Sequence, residues 1–271
     1  MKRDLQGRRI LITGASSGIG RCLAEQLARA GARLALAART ESKLQELAST
    51  LSTLGADVLI VPADVTSEED RCRLLAQVEA DLGGLDVLIN NAGVASWAHF
   101  ADSSEAVLRQ IMEVNFFAPA ELVRLAIPML ERGRQPAVVN VASMCGRRAM
   151  PAWSEYSASK YALCGLTEAL RGELSRFDID VLLVVPGLTR SDFSKHLLLT
   201  QGRAKIDFTK GMAPEDVAAG IIAGLRLNTT EKVIGRDARA VLFVNKFFPR
   251  LTDWLLARKV KKLYAGPISL S

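Results

Sequence analysis

Apolar residues in this chain follow two rhythms. In seven short runs they are nearly consecutive: RRILITG (8–14), RLALAAR (33–39), DVLIVPAD (57–64), DVLINNAG (86–93), AVVNVAS (137–143), DIDVLLVVPG (178–187) and KVIG (232–235). Runs of that kind mark strands covered on both faces. Between them, at 18–30, 41–53, 67–82, 103–131, 154–176 and 214–226, the pattern is that of longer helices. Regular alternation of strand and helix predicts a parallel sheet with helices on both sides. No change of composition interrupts it before about residue 235, and no repeat or low-complexity tract is found. The expected fold is therefore one α/β domain over residues 1–235, built on a doubly wound, mostly parallel sheet of seven strands.

Two segments leave the alternation. Residues 188–213, containing FSKHLLLTQG, follow the sixth run. A loop of that length in a compact domain is usually functional. It also lies beyond the carboxyl end of a strand, where open α/β sheets bind ligands. The other segment is 236–271, expected as a helical extension.

Composition narrows the function classes. With 271 residues, 49% hydrophobic and 24% charged, the chain has material for a sizeable core. No apolar run reaches the ~18 residues of a membrane span. The N-terminal MKRDLQGRRILITG lacks the apolar core and cleavage site of a secretory signal, so a cytoplasmic protein is expected. Cys22, Cys72, Cys145 and Cys164 form no close pair, and His99 and His196 are the only histidines. Neither a disulfide framework nor a metal site is expected. The net charge of +6 points toward nucleic acid until it is located: Lys246, Arg250, Arg258, Lys259, Lys261 and Lys262 against Asp253 place +5 of it within 241–264. The remainder is nearly neutral, and no nucleic-acid partner is expected.

LITGASSGIG runs from the first predicted strand straight into the first predicted helix, with Gly14, Gly18 and Gly20 spaced G-x-x-x-G-x-G. Glycine permits the tight turn and lets a phosphate approach the backbone. The helix start offers unpaired N–H groups and the positive end of its dipole. Such a turn is weak evidence alone, but its position at the first strand and helix is that of a nucleotide site. Further on, SEYSASKYA (154–162) sets Tyr156 and Lys160 four apart, on one helical face. By itself the pair is as well read as a solvated surface. Alternatively, the ammonium favours ionisation of a phenol whose free pKa is near ~10. Such a phenol can exchange a proton with a reacting oxygen.

Taken together, TGASSGIG (13–20), NNAG (90–93), Asn115, Ser143 and the Tyr156–Lys160 pair resemble, in order and spacing, the short-chain dehydrogenase/reductase family. PGLTRSDF (186–193) resembles the family's segment after the sixth strand, and the resemblance spans about residues 7–235. It implies a Rossmann-like fold, a nicotinamide dinucleotide and hydride transfer between a carbonyl and its alcohol. It further implies that Ser143 holds the substrate oxygen and that Tyr156 transfers the proton. Lys160 would bind the nicotinamide ribose and lower the tyrosine pKa, and Asn115 would hold a water linking the lysine to solvent. Plainer readings stand beside these: Ser143 tying off a strand end, Asn115 repairing a helix irregularity, Lys160 on the surface.

The resemblance also distributes the cofactor. Gly14, Ser16, Ser17, Gly18, Ile19 and Gly20 form the glycine turn, Asp64 and Val65 flank the adenine, and Asn91, Ala92 and Gly93 run along the cofactor. Pro186, Gly187 and Thr189 lie by the carboxamide, Ser191 stands where threonine is commoner, and Gly146, three residues after Ser143, also fits. The second strand ends in Ala38 and Arg39. A carboxylate there would bind both ribose hydroxyls of NAD. Arg39 can instead meet a 2′-phosphate, with hydroxyl donors from Thr40 and Ser16, so NADP(H) is expected.

Val94, Trp97, Met144, Met150, Trp153, Phe193 and Leu197 to Leu199 are expected to face substrate. Their character fits a lipid, steroid-like, retinoid-like or acyl compound, and ordinary core and lid packing is the alternative. The tail VLFVNKFFPRLTDWLLARKVKKLY (241–264) mixes aromatics and cations. Drawn as a helix, 251–264 separates poorly, because Lys259 falls among Leu255, Leu256 and Leu263. A membrane-surface helix should segregate better. Packing against another subunit is therefore expected ahead of membrane contact. The family resemblance implies a homodimer or homotetramer joined through 103–131 and 154–176. The reading is an NADP(H)-dependent oxidoreductase of apolar carbonyls or alcohols. The alternatives are an NAD-dependent secondary-alcohol dehydrogenase and a non-catalytic nucleotide-binding sensor or scaffold.

Overall fold

Valine, isoleucine and leucine runs too apolar to face water on either side form seven parallel strands in the computed structural model, which describes residues 3–190, 197–202 and 207–265. They are β1 (Arg9–Thr13), β2 (Arg33–Ala38), β3 (Val58–Pro62), β4 (Val87–Asn90), β5 (Ala137–Val141), β6 (Asp180–Pro186) and β7 (Glu231–Ile234). Their order in the sheet is β3-β2-β1-β4-β5-β6-β7. The helices are α1 (Gly18–Arg29), α2 (Glu41–Ser52), α3 (Glu68–Leu82), α4 (Glu105–Met112), α5 (Ala118–Glu131), α6 (Ser154–Glu173), α7 (Pro214–Leu227), α8 (Arg236–Phe247) and α9 (Pro249–Tyr264).

Each face of the sheet has its own core. On one, Leu23 and Leu27 of α1, Leu44 and Leu47 of α2, and Ile221 and Leu225 of α7 pack against Ile10, Ile12, Leu34 and Leu36. On the other, Leu74 and Val78 of α3 and Leu122 and Leu130 of α5 pack against Leu11, Leu88 and Val138. The chain reverses its direction across the sheet between β1 and β4, so loops diverge there and leave a crevice at the carboxyl ends of the strands.

The expected helix 103–131 is interrupted. A π-helical turn, Glu113–Phe117, separates α4 from α5. Pro119 explains it: with no N–H, it cannot bond the carbonyl four residues back, on Asn115, and its ring crowds that oxygen. The expected extension is also split, since Pro249 disfavours helical geometry at Phe248 and ends α8 there. Among the described residues no helix is long and apolar enough to cross a membrane.

Gly20 is fixed by packing. A Cβ on it would lie 2.2 Å from the Gly14 carbonyl oxygen and 2.7 Å from Asn91 Nδ2. Gly172, on α6, has nothing within 4 Å of the same position. Gly20→Ala is expected to lower the unfolding free energy by about 1–3 kcal/mol in urea titration. Gly172→Ala is expected to leave it unchanged or raise it by up to about 1 kcal/mol.

Candidate active site

A cavity of about 710 Å³ occupies the crevice, within the size range of small-molecule sites. Gly14, Ser16, Ser17, Gly18 and Ile19 line one end. Gly14 and Gly18 take the left-handed φ values of 64° and 51°, which favour glycine. A Cβ on Gly14 would sit 2.8 Å from the Ala92 Cα. At the start of α1 no side chain caps the first N–H groups and no acid occupies the first turn. Unpaired donors and the positive helix end therefore meet the cavity, and these features fit the phosphates of a dinucleotide.

NNAG holds this turn in place. Thr13 Oγ1 accepts hydrogen bonds from the backbone N–H groups of Asn91 and Ala92 at 3.0 and 3.1 Å. Asn91 Nδ2 donates to the carbonyls of Thr13 and Gly14 at 3.0 and 3.2 Å. Asn91, Ala92 and Gly93 all line the cavity, whereas Gly20 does not; its place is in the packing behind the turn.

Ala38, Arg39 and Thr40 border the cavity at the end of β2, as do Asp64 and Val65 beyond β3. One oxygen of Asp64 accepts from the N–H and hydroxyl of Thr66 at 3.0 and 2.8 Å, so this carboxylate also shapes its own loop. Lys43, in the first turn of α2, lines the same end and was not anticipated. Its spacing of four residues from Arg39 was the available signal.

Ser143, Tyr156 and Lys160 meet at the middle of the cavity. The Ser143 hydroxyl acts on the Tyr156 phenol, drawing its pKa down. Ser143 Oγ also accepts from the Cys145 N–H at 3.1 Å, so the strand-end role and the site position coexist. Gly146 lets this turn close on α6, because a Cβ there would be 2.7 Å from the Lys160 carbonyl oxygen. Trp153 packs edge-on against the Tyr156 ring at 5.6 Å between centroids.

Lys160 is buried, not on the surface. Its Nζ donates to the Val141 carbonyl at 2.9 Å and lies 5.8 Å from the Tyr156 ring centroid. Burial pushes its pKa down to about 8. Burial also raises the Tyr156 pKa above the ordinary phenol value, with the Ser143 hydrogen bond acting in the opposite direction. The spacing of the pair pointed to a lowered tyrosine pKa; in the folded protein burial is the largest influence and acts the other way.

Asn115 sits in the π-helical turn, fully buried. Its Oδ1 accepts from the Val94 N–H at 2.9 Å, and its Nδ2 donates to the Val94 carbonyl at 2.8 Å and to Ser159 Oγ at 3.0 Å. It does not line the cavity. A side chain on Gly93 would run between Asn115 Oδ1 and Lys160 Nζ, at 3.1 and 3.6 Å from its Cβ.

The far end is apolar. Val94, Trp97, Met144, Met150 and Trp153 line it, while Pro186, Gly187 and Thr189 border the adjoining wall. Of Leu197 to Leu199 only Leu198 lines it. Leu198 is placed by its N–H bond to the Ala95 carbonyl, and the Trp97 N–H bonds the Leu199 carbonyl, both at 2.8 Å. Ser191 and Phe193 lie outside the described residues. His99, Leu188 and Phe208 also border this end and were missed.

The extension supplies the remaining wall: Leu256, Lys259, Val260 and Leu263 of α9 line the cavity of their own chain. The Arg148–Asp253 ion pair at 2.6 Å and an edge contact of Tyr264 with His99 at 5.0 Å hold the helix there. One face of α9 is thus taken up by its own chain, while Leu251, Trp254 and Leu255 stay exposed. The poor separation in the sequence reflects two apolar faces, one on the cavity and one outside.

Comparison with known proteins agrees with this geometry. A family model described as short chain dehydrogenase matches residues 8–202. An uncharacterized oxidoreductase, YxnA, of Bacillus subtilis is 33% identical over 260 residues, covering 94% of this chain and 73% of that protein. The 11-beta-hydroxysteroid dehydrogenase A of Sesamum indicum is 34% identical over 267 residues, covering 93% and 75%. The crystal structure of a short chain dehydrogenase/reductase from Burkholderia phymatum in complex with NAD superposes with a TM-score of 0.83 at 24% identity, covering 92% of this chain and 96% of that one.

The lowered Lys160 pKa has a measurable consequence. Between about pH 8 and the unfolded value of about 10.5 the unfolded chain binds the additional proton, so this group makes stability rise with pH. Urea unfolding from pH 8 to 10 is expected to show wild type gaining on the order of 2 kcal/mol relative to Lys160→Met. A constant difference would mean that Lys160 titrates as an ordinary lysine.

Proposed function

The chain belongs to the short-chain dehydrogenase/reductase family of oxidoreductases, whose members use NAD or NADP, and from that premise we propose that it interconverts an apolar ketone or aldehyde and its alcohol with NADP(H). The observation that carries this reading is the convergence of Ser143 and Tyr156 on the cavity wall, with the Lys160 ammonium buried behind them. Bound cofactor supplies or accepts the hydride. In the reducing direction the hydroxyls of Ser143 and Tyr156 hold the carbonyl oxygen, and Tyr156 gives it a proton as negative charge grows there. The raised tyrosine pKa keeps that proton in place beforehand. Lys160 stabilises the phenolate left behind and is the residue that would hold the nicotinamide ribose. Asn115 positions Val94 and Ser159 around this centre through the bonds described above.

Residues 1–235 carry the chemistry and α8–α9 completes the substrate end. NADP(H) is favoured over NAD(H) because Ala38 offers no carboxylate to a ribose, while Arg39 and Lys43 bring two cations to that corner of the cavity. The apolar lining favours a bulky lipophilic substrate, in keeping with a hydroxysteroid dehydrogenase among the relatives. Exposed Phe117, Leu125 and Tyr161, with open space at Gly165 and Gly172, support a homodimer or homotetramer formed through α5 and α6. We place the enzyme in the cytoplasm.

Tyr156→Phe is expected to lower turnover of any accepted ketone by about 10²-fold or more while NADPH affinity, followed by fluorescence titration, stays unchanged. Wild-type turnover in that variant would remove the proton-transfer assignment. Steady-state kinetics with both cofactors tests the other half. Wild type should prefer NADPH, and Arg39→Ala should erode the preference roughly ten- to hundredfold, mainly through KM. An unchanged ratio would refute the role of Arg39.

A further inference from the structure

We propose that α8 and α9 dock this protein on an anionic lipid bilayer, with α9 forming a shared wall between the bilayer and the substrate cavity. Leu256, Val260 and Leu263 point one face of α9 into the cavity. The opposite side of the helix pair exposes Phe243, Phe247, Phe248, Leu251, Trp254 and Leu255, each between 48% and 64% accessible. The Phe243 and Phe247 rings touch at 4.9 Å between centroids, and Phe248, Leu251, Trp254 and Leu255 follow within the next eight residues. Single exposed apolar residues are ordinary on a protein surface; six within one helix pair mark an interaction site.

The charge around the patch identifies the occupant. Lys246, Arg250, Arg258, Lys261 and Lys262 are interleaved with it along the chain. Lys246 Nζ lies 5.6 Å from the Phe247 ring centroid and the Arg258 guanidinium 5.3 Å from that of Trp254. That arrangement keeps cations at the rim of the aromatics, as in side chains reaching from an apolar layer to its headgroups. Asp253, the one acid between residues 243 and 265, is held by Arg148 at 2.6 Å. The outward face is therefore basic without compensation. Two copies paired through it would set these cations against their own kind. A phosphate backbone would satisfy the cations but leave the aromatics in water. A bilayer with anionic headgroups satisfies both.

Because the other face of α9 lines the cavity, a lipophilic substrate dissolved in the bilayer reaches the site by passing one helix. That delivery rests on the apolar-carbonyl reading; docking does not, so the two fail separately.

The test is co-sedimentation of the full chain with vesicles of phosphatidylcholine alone or mixed with phosphatidylserine. Binding to the mixed vesicles should be at least about tenfold tighter and should weaken with salt. Lys261→Glu with Lys262→Glu, and separately Phe247→Ser with Trp254→Ser, should each lower it by about tenfold or more, with unchanged circular dichroism and unchanged reduction of a water-soluble ketone. Absence of binding, or equal binding by wild type and both variants, overturns the proposal. So does a wild-type oligomer that both variants dissociate in sedimentation velocity, which would make a second copy the occupant.

Discussion

An ammonium group held almost without water is the constraint around which this site is built. Lys160 is 4% exposed, and its Nζ reaches the Val141 carbonyl at the end of β5. Burying a lone cation costs several kcal/mol unless hydrogen bonds and charge offset it. Here part of that cost is seen as a pKa pushed down to about 8. The same desolvation raises the Tyr156 pKa. The resting pair is thus a phenol that keeps its proton beside an ammonium that releases one readily. Proton transfer then waits for negative charge on a bound oxygen, which suits an enzyme that must not ionise its acid too early.

The two ends of the cavity are held by different means. The phosphate-sized end is made of backbone: left-handed glycines, an uncapped helix start, and the bonds of Thr13 and Asn91 that lock β1 to β4. Such geometry depends on few residue types. The other end gathers side chains from four separate places, around Trp97, Met150, Leu198 and Leu256. Changes at any of these alter shape and polarity without disturbing the cofactor end. Lys259 is the one cation that α9 adds to this otherwise apolar wall.

The strands and most helices were legible because the physics that forms them is local: unbroken aliphatic runs and helical spacing. The glycine turn was equally legible, since its backbone demands glycine. What escaped depended on distance or environment. The π-helical turn at Glu113–Phe117 hides inside a continuous helical pattern, with Pro119 as its only local trace. The burial of Tyr156 was not legible, because spacing reports the neighbouring charge but not the desolvation. The α9 pattern looked disordered as one stripe and resolves into two only when its neighbours on both sides are known. Lys43 was missed because it stands inside a helix, one turn beyond the end of β2.

The central claim is hydride transfer to a carbonyl at the Tyr156 centre. It is tested most directly by incubating the protein with an apolar ketone and NADPH deuterated at the transferable position of the nicotinamide, then analysing the alcohol by mass spectrometry and NMR. The account predicts one deuterium on the carbinol carbon and none on its oxygen after exchange into ordinary water. Alcohol formed without deuterium at that carbon, or no alcohol from any ketone across a graded apolar series, would contradict it.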